Sequence, residues 1–229
     1  MIEKFVFEGF EEDELDLVKL VTASVTTTIF KNIGLPTLRS QCIHIVRDCS
    51  KEAPMYVSNC GYEKIIVNSK HAFYWQYAYQ ISHELGHLST SSWKRHPRTD
   101  GHMWIEEALC ECHSLIALQE MSKITGPLQV GAIDYCSILD EKHNDVEVAP
   151  EWFSQNKTAL SQATSLTKEA FYMSRYIKKS VPADSILRDN RLINQLTVGL
   201  SFNEYLTEWQ NLSGDEVSVP KALMMLALE

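Results

Sequence analysis

The sequence predicts an α+β fold in which a small N-terminal sheet with its helices leads into a mainly helical C-terminal half. Three observations carry this expectation. Short β-branched runs bounded by turn-forming residues, Cys42-Ile-His-Ile-Val46 and Lys64-Ile-Ile-Val67, fall in the first third of the chain. Stretches with apolar residues at helical spacing lie on either side of them. Beyond residue 103 the spaced apolar residues continue without strand alternation. At 229 residues the chain can bury an ample core, as one large domain or two closely packed subdomains. The expected division is an N-terminal subdomain over 1–95 and a helical one over 96–229.

Glu12 to Phe30 mixes acidic and apolar residues in a helical pattern, with Leu15, Val18, Leu20, Val21 and Val25 as its core face and Gly34-Leu-Pro36 as its end. The two strands follow at 42–46 and 64–67, and Met55-Tyr-Val57 is a candidate third. Asn68 or Ser69 then caps a helix from about His71 to Ser89, whose stripe of Phe73, Tyr77, Ile81, Leu85 and Leu88 faces the core. Ser89 to Gly101 is polar, contains Pro97 and Thr99-Asp-Gly101, and reads as a loop on the rim of a cleft. A second long helix begins at Met103 and stops before Gly126-Pro127. Segments near 130–140, 155–180, 183–197, 202–212 and 219–228 are also expected to be helical. No internal repeat, low-complexity tract or long linker interrupts the chain.

His83-Glu84-Leu85-Gly86-His87 lies near the end of the first of these stripes. A helix advances about 100° per residue, so His83 and His87 project from one face, where two neutral imidazoles can share a zinc ion. Glu84 is placed toward the same cleft, where a carboxylate can take the proton from a water whose pKa zinc has lowered to about 7. That is machinery for hydrolysing an amide without a covalent acyl-enzyme. A catalytic zinc takes a third protein ligand and keeps one position open. Trp104-Ile-Glu106-Glu107-Ala-Leu-Cys-Glu111 supplies the acids, and Glu107 and Glu111 share a face at i, i+4, so that one can bind while the other stands behind it. Glu111 also falls on the apolar stripe of Trp104, Ala108, Leu115 and Leu118, where a carboxylate needs a partner such as a ligand imidazole N–H. Asp100, His96 and His102 are the remaining alternatives for the third ligand, against an ordinary reading as solvated loop residues.

This constellation resembles the gluzincin clan of zinc peptidases, in which a His-Glu-x-x-His helix is followed by a second helix bearing a ligand Glu. The resemblance covers about residues 73 to 118. Over it, Trp104 to Glu111 is similar to the clan's Trp-x-Asn-Glu-Gly-x-Ala-x pattern, with Glu106 in place of Asn and Ala108 in place of Gly. It implies a zincin-like fold with His83, His87 and Glu107 as zinc ligands, Glu84 as general base, Glu111 supporting the ligands, and Gly86 admitting the second helix closely. The clan also uses a downstream Tyr or His to stabilise the oxyanion. The candidates for that role are Tyr172 and Tyr176, the first preferred, beside the ordinary reading of a ring packed in a helical core. The metzincin continuation would require glycine where Thr90 stands and histidine where Trp93 stands, and is absent.

The resemblance makes a peptide or protein the expected substrate. Lys64-Ile65-Ile66-Val67 is a candidate edge strand on which an extended peptide could be held by backbone hydrogen bonds beside the metal. A formal charge of −9 and a pI near 5.4 argue against a nucleic-acid partner, which needs clustered Lys and Arg. The acidic N-terminal stretch has no secretion signal, and no run of eighteen apolar residues predicts a membrane span, so a cytoplasmic protein is expected. Six cysteines without zinc-ribbon spacing are expected as reduced thiols, and Cys110 and Cys112 cannot face one way on a helix. Two rival readings are a catalytically silent zinc-binding regulatory or interaction module on the same fold, and a scaffold whose motif is merely a solvated helix face. Retention of Glu84 favours the hydrolase over the first.

Overall fold

Phe5-Val-Phe-Glu8 forms strand β1, its alternation turning Phe5 into the core and Val6 outward. The acids of this stretch carry no strand signature, so β1 is an addition to the expected elements. Gly9 follows in the left-handed region at φ 79°, and helix α1 then runs Glu12–Phe30. It buries Val18, Val21, Thr22, Val25, Thr26, Ile29 and Phe30 at helical spacing. Leu20, expected in that face, is 51% exposed: it lies about 100° from Val21 and projects off the stripe. Thr22 can be buried because its hydroxyl donates to the Val18 carbonyl at 2.8 Å. Gly34, at φ 70°, donates its N–H to the Phe30 carbonyl and closes the helix where expected.

Strands β2 (Ile43–Arg47), β3 (Met55–Val57) and β4 (Glu63–Val67) complete a four-stranded sheet of order β1-β2-β4-β3. β1, β2 and β4 run parallel, with α1 as the crossover between the first two, whereas β3 is antiparallel to β4. This corrects the expectation that 64–67 is an edge strand. Ile65 is paired with Ile45 on one side and Tyr56 on the other, Ile66 with Val46 and Met55, and Val67 with Arg47. All three side chains are buried, so Ile65, Ile66 and Val67 do not offer a free edge to a peptide. The outer strand beside β4 is β3, a run too short and too exposed at Met55 to announce its place in the sequence.

The computed structural model describes residues 2–38, 40–57, 61–69, 73–90, 101–143 and 146–227. Within that range the chain is α+β, with helices α2 (Tyr74–Ser89), α3 (Met103–Ser122), α4 (Pro127–His143), α5 (Pro150–Gln162), α6 (Lys168–Ser180), α7 (Ala183–Leu192), α8 (Phe202–Ser213) and α9 (Val219–Ala227) following the sheet. The expected start of α2 at His71 lies outside the described residues. Asn68 does not cap α2. It exchanges hydrogen bonds with the Gln80 side chain, at 3.0 Å to its backbone N–H and 2.7 Å to its side-chain oxygen, which pins the middle of α2 to the end of β4. The span 155–180 is two helices. They part at Ala163, and Thr167 starts the second by accepting from the Ala170 N–H.

The chain divides into two compact units, Met1–Trp93 with His113–Glu141 and Lys94–Cys112 with Lys142–Glu229. The division differs from a single cut at 95, because α3 is a continuous 20-residue helix, about 30 Å long, whose halves serve different units. In the first unit α2 packs against α1, β3 and β4. In the second, Trp104 lies against Phe153 and Phe202, and Tyr205 and Trp209 are fully buried. Among the described residues no helix is long and apolar enough to cross a membrane.

Candidate metal centre

Helix α2 buries its predicted stripe completely at Tyr77, Ile81, Leu85 and Leu88. Phe73, at the N-terminal boundary, is 48% exposed and turns its ring edge to Trp75 instead. With the apolar stripe inward, the flanking positions 83, 84 and 87 are carried along its border. His83 is 7% exposed, Glu84 is buried, and His87 is half-buried. The two imidazoles stand with ring centroids 5.2 Å apart and planes inclined at 66°, as an i, i+4 pair on one face should.

The second half of helix α3 belongs to the same unit as α2, and the Ser114 hydroxyl donates to the Tyr79 carbonyl at 2.8 Å. Two imidazole nitrogens on one helix face are donors suited to a borderline-soft cation such as zinc. The histidine pair could take part in holding a metal ion.

Cys110 and Cys112, whose spacing speaks against a shared metal site, are both buried free thiols. Cys112 donates its S–H to the Ser174 carbonyl of α6 at 3.2 Å. Burial, with Glu111 beside it, pushes the Cys112 thiol well above the usual range, so it stays protonated.

His113 is a neighbour of the histidine pair on the second half of α3. It is fully buried, and its imidazole pKa is pushed down to about 3, chiefly by burial and further by His83 and His87. It therefore remains neutral within electrostatic reach of the pair.

The expected acids occupy the adjoining turn of α3. Glu106 is 6% exposed and Glu111 fully buried, while Glu107 is half-buried, the one residue from Trp104 to Leu118 that is not buried.

The other candidates have structural company. His102 places a ring nitrogen 3.0 Å from the Leu200 carbonyl and packs against Phe202 and Tyr205 in the second unit. Asp100 and His96, like the rim loop around them, lie outside the described residues. Tyr172 is buried in α6 with its ring against Trp152 and the Lys168 ammonium 5.3 Å from its centre, and the Tyr176 hydroxyl donates to the Ala222 carbonyl. Both are therefore held within the helical packing of the second unit.

No family model matches the chain, and no curated protein or solved structure matches it.

Proposed function

We propose that this protein is a zinc-dependent peptidase of zincin-like fold, built on His83, Glu84 and His87. The observation that carries the reading is the turn of α2 on which both imidazoles and a buried carboxylate are presented together. The donor set fits zinc, since neutral imidazole nitrogens are among its preferred ligands and the nitrogens here already stand within reach of one another. His83 and His87 would hold the ion, and Glu107, the accessible acid on the neighbouring turn of α3, is the third ligand that the gluzincin resemblance implies. When bound, zinc supplies a Lewis acid that polarises a carbonyl and lowers the pKa of water to about 7.

The remaining work falls to the chain. Glu84 accepts the proton of the attacking water and delivers it to the departing amine, so one carboxylate serves as base and then as acid. Glu111, fully buried on the same helix as Glu107, orients the ligands from behind. Burial of His83 and Glu84 excludes bulk water from the inner side of the site, which strengthens the interactions of the charged carboxylate.

The test combines zinc stoichiometry with cleavage of a mixed peptide library. The protein is expected to hold one zinc per chain and to cut peptides, and Glu84→Gln is expected to lose at least about 100-fold in rate with zinc still bound. A protein without metal after metal-replete purification would end the reading. Equal cleavage by Glu84→Gln would remove Glu84 from the chemistry.

A further inference from the structure

We propose that the outward face of α4 is a docking surface for a basic amphipathic helix of a partner protein. The surface is independent of the metal reading, since it lies on a different helix and uses none of its residues. Helix α4 is firmly seated on its inner side. A Cβ at Gly131 would collide with the Trp75 indole, so α4 approaches α2 as closely as glycine allows. The Tyr135 ring stands edge-on to Tyr79 of α2 at 5.7 Å, and Ala132 and Leu139 are buried on the same side of α4. All of these residues lie in one compact unit.

With the helix seated in that register, its step of about 100° per residue sends Val130, Ile133 and Ile138 outward within an arc of about 140°. They are 64%, 45% and 54% exposed. An outward helix face ordinarily carries polar residues and good helix formers. Val and Ile are neither: β-branching lowers helix propensity, and an exposed side chain gains nothing from burial. Neither the local helix nor the packing of the unit accounts for three of them on one face. A partner that covers them does.

Charge decides which partner. Asp134 and Glu141 are exposed within the same arc, and no Lys or Arg stands between 127 and 141 to offset them. A second copy of this chain docked through α4 would set these acids against their own counterparts, where like charges repel. A helix with apolar residues at i, i+3 and i+7 and with Lys or Arg between them covers the apolar side chains and pairs with both acids.

The probe is a peptide of about 14 residues built from Leu and Lys, its leucines along one helical face, titrated calorimetrically onto the full-length protein. Micromolar binding at low salt is expected, weakened at least about 10-fold at high salt. The double variants Ile133→Gln with Ile138→Gln, and Asp134→Lys with Glu141→Lys, are each expected to lose at least about 10-fold in affinity. Both place good helix formers at outward positions, so the urea midpoint should hold. Glu216→Lys, at an exposed acid of the other unit, should leave binding unchanged.

On the wild-type protein alone, a scrambled peptide with its leucines off one face and a peptide with Glu in place of Lys are expected not to bind. Absence of binding by the Leu/Lys peptide, equal binding by either control peptide, or binding that both double variants retain overturns the proposal. So does a wild-type dimer in sedimentation that Ile133→Gln with Ile138→Gln dissociates, which makes a second copy the occupant.

Discussion

At the scale of single residues, the decisive question is which acid of α3 faces the histidines. On a helix that turns about 100° per residue, Glu106 lies about 40° to one side of Cys110 and Glu107 about 60° to the other. His113, which feels the charge of both motif histidines, is on the side of Glu106, whereas Ser114, which anchors α3 to the Tyr79 carbonyl, is on the side of Glu107. Burial separates the two acids. Glu106 is 6% exposed, whereas Glu107 is half-buried and reachable from solvent. Glu107→Gln is therefore expected to weaken zinc binding strongly, Glu111→Gln by about 10- to 100-fold at most, and Glu106→Gln only slightly. Competitive zinc titrations of the three variants check the order. Zinc release by Glu106→Gln with tight binding retained in Glu107→Gln would shift the register by one residue and take the role of Glu111 with it.

At the scale of elements, two junctions hold the units that carry the site. Gly9 turns the chain from β1 into α1 at φ 79°, and a Cβ there would stand 2.7 Å from the Arg47 carbonyl of β2. Neither the left-handed backbone nor a clash with another backbone is easily relieved, so Gly9→Ala should destabilise the protein by about 1–3 kcal/mol. The change is read as a lower urea midpoint at constant slope. A loss below about 0.5 kcal/mol would mean that β1 is free to shift.

In the second unit, Asp189 of α7 is buried and accepts 2.8 Å hydrogen bonds from the Val219 N–H at the start of α9 and from the Ser213 hydroxyl. Burial raises its pKa, and these bonds together with Arg188 offset only part of the rise. A folded-state value above the unfolded one means that the native form holds the proton more tightly. Its stabilising effect is complete below the ordinary aspartate pKa of about 3.9 and fades as pH rises through the raised value. Asp189→Ala should cost about 1–3 kcal/mol by orphaning the two donors. Urea titrations should show a larger deficit near pH 4, by about the ordinary aspartate value, than near pH 7. A deficit that grows with pH would reverse the assigned shift.

For the whole molecule, a metal held only by the native fold should make its occupancy felt as global stability. A ligand that binds only the folded state at 100 times its Kd adds about 2.7 kcal/mol. For a chain of this length, that corresponds to a rise of about 5–10 °C in Tm. Zinc added to chelator-treated protein should restore such a difference, and Glu84→Gln should show the same rise because it keeps the ligands. A Tm indifferent to zinc would count against a site formed in the native state.

The α+β class, the span of α1, the three strands after it and the long helices α2 and α3 were legible in the chain, because these depend on local periodicity, β-branching and turn residues. Equally legible was that His83 and His87 share a face, since i, i+4 spacing requires no partner element. Strand order was decided only in three dimensions. β1 is a four-residue run with no turn signature of its own, and β3 is shorter still, so nothing local could show that β4 would be enclosed between β2 and β3. The placement of His113 near the histidines was likewise tertiary, because it depends on how the second half of α3 packs within its unit. Every turn of α3 from Trp104 to Leu118 is buried apart from Glu107, so its sequence shows no single apolar face from which its neighbours could be read.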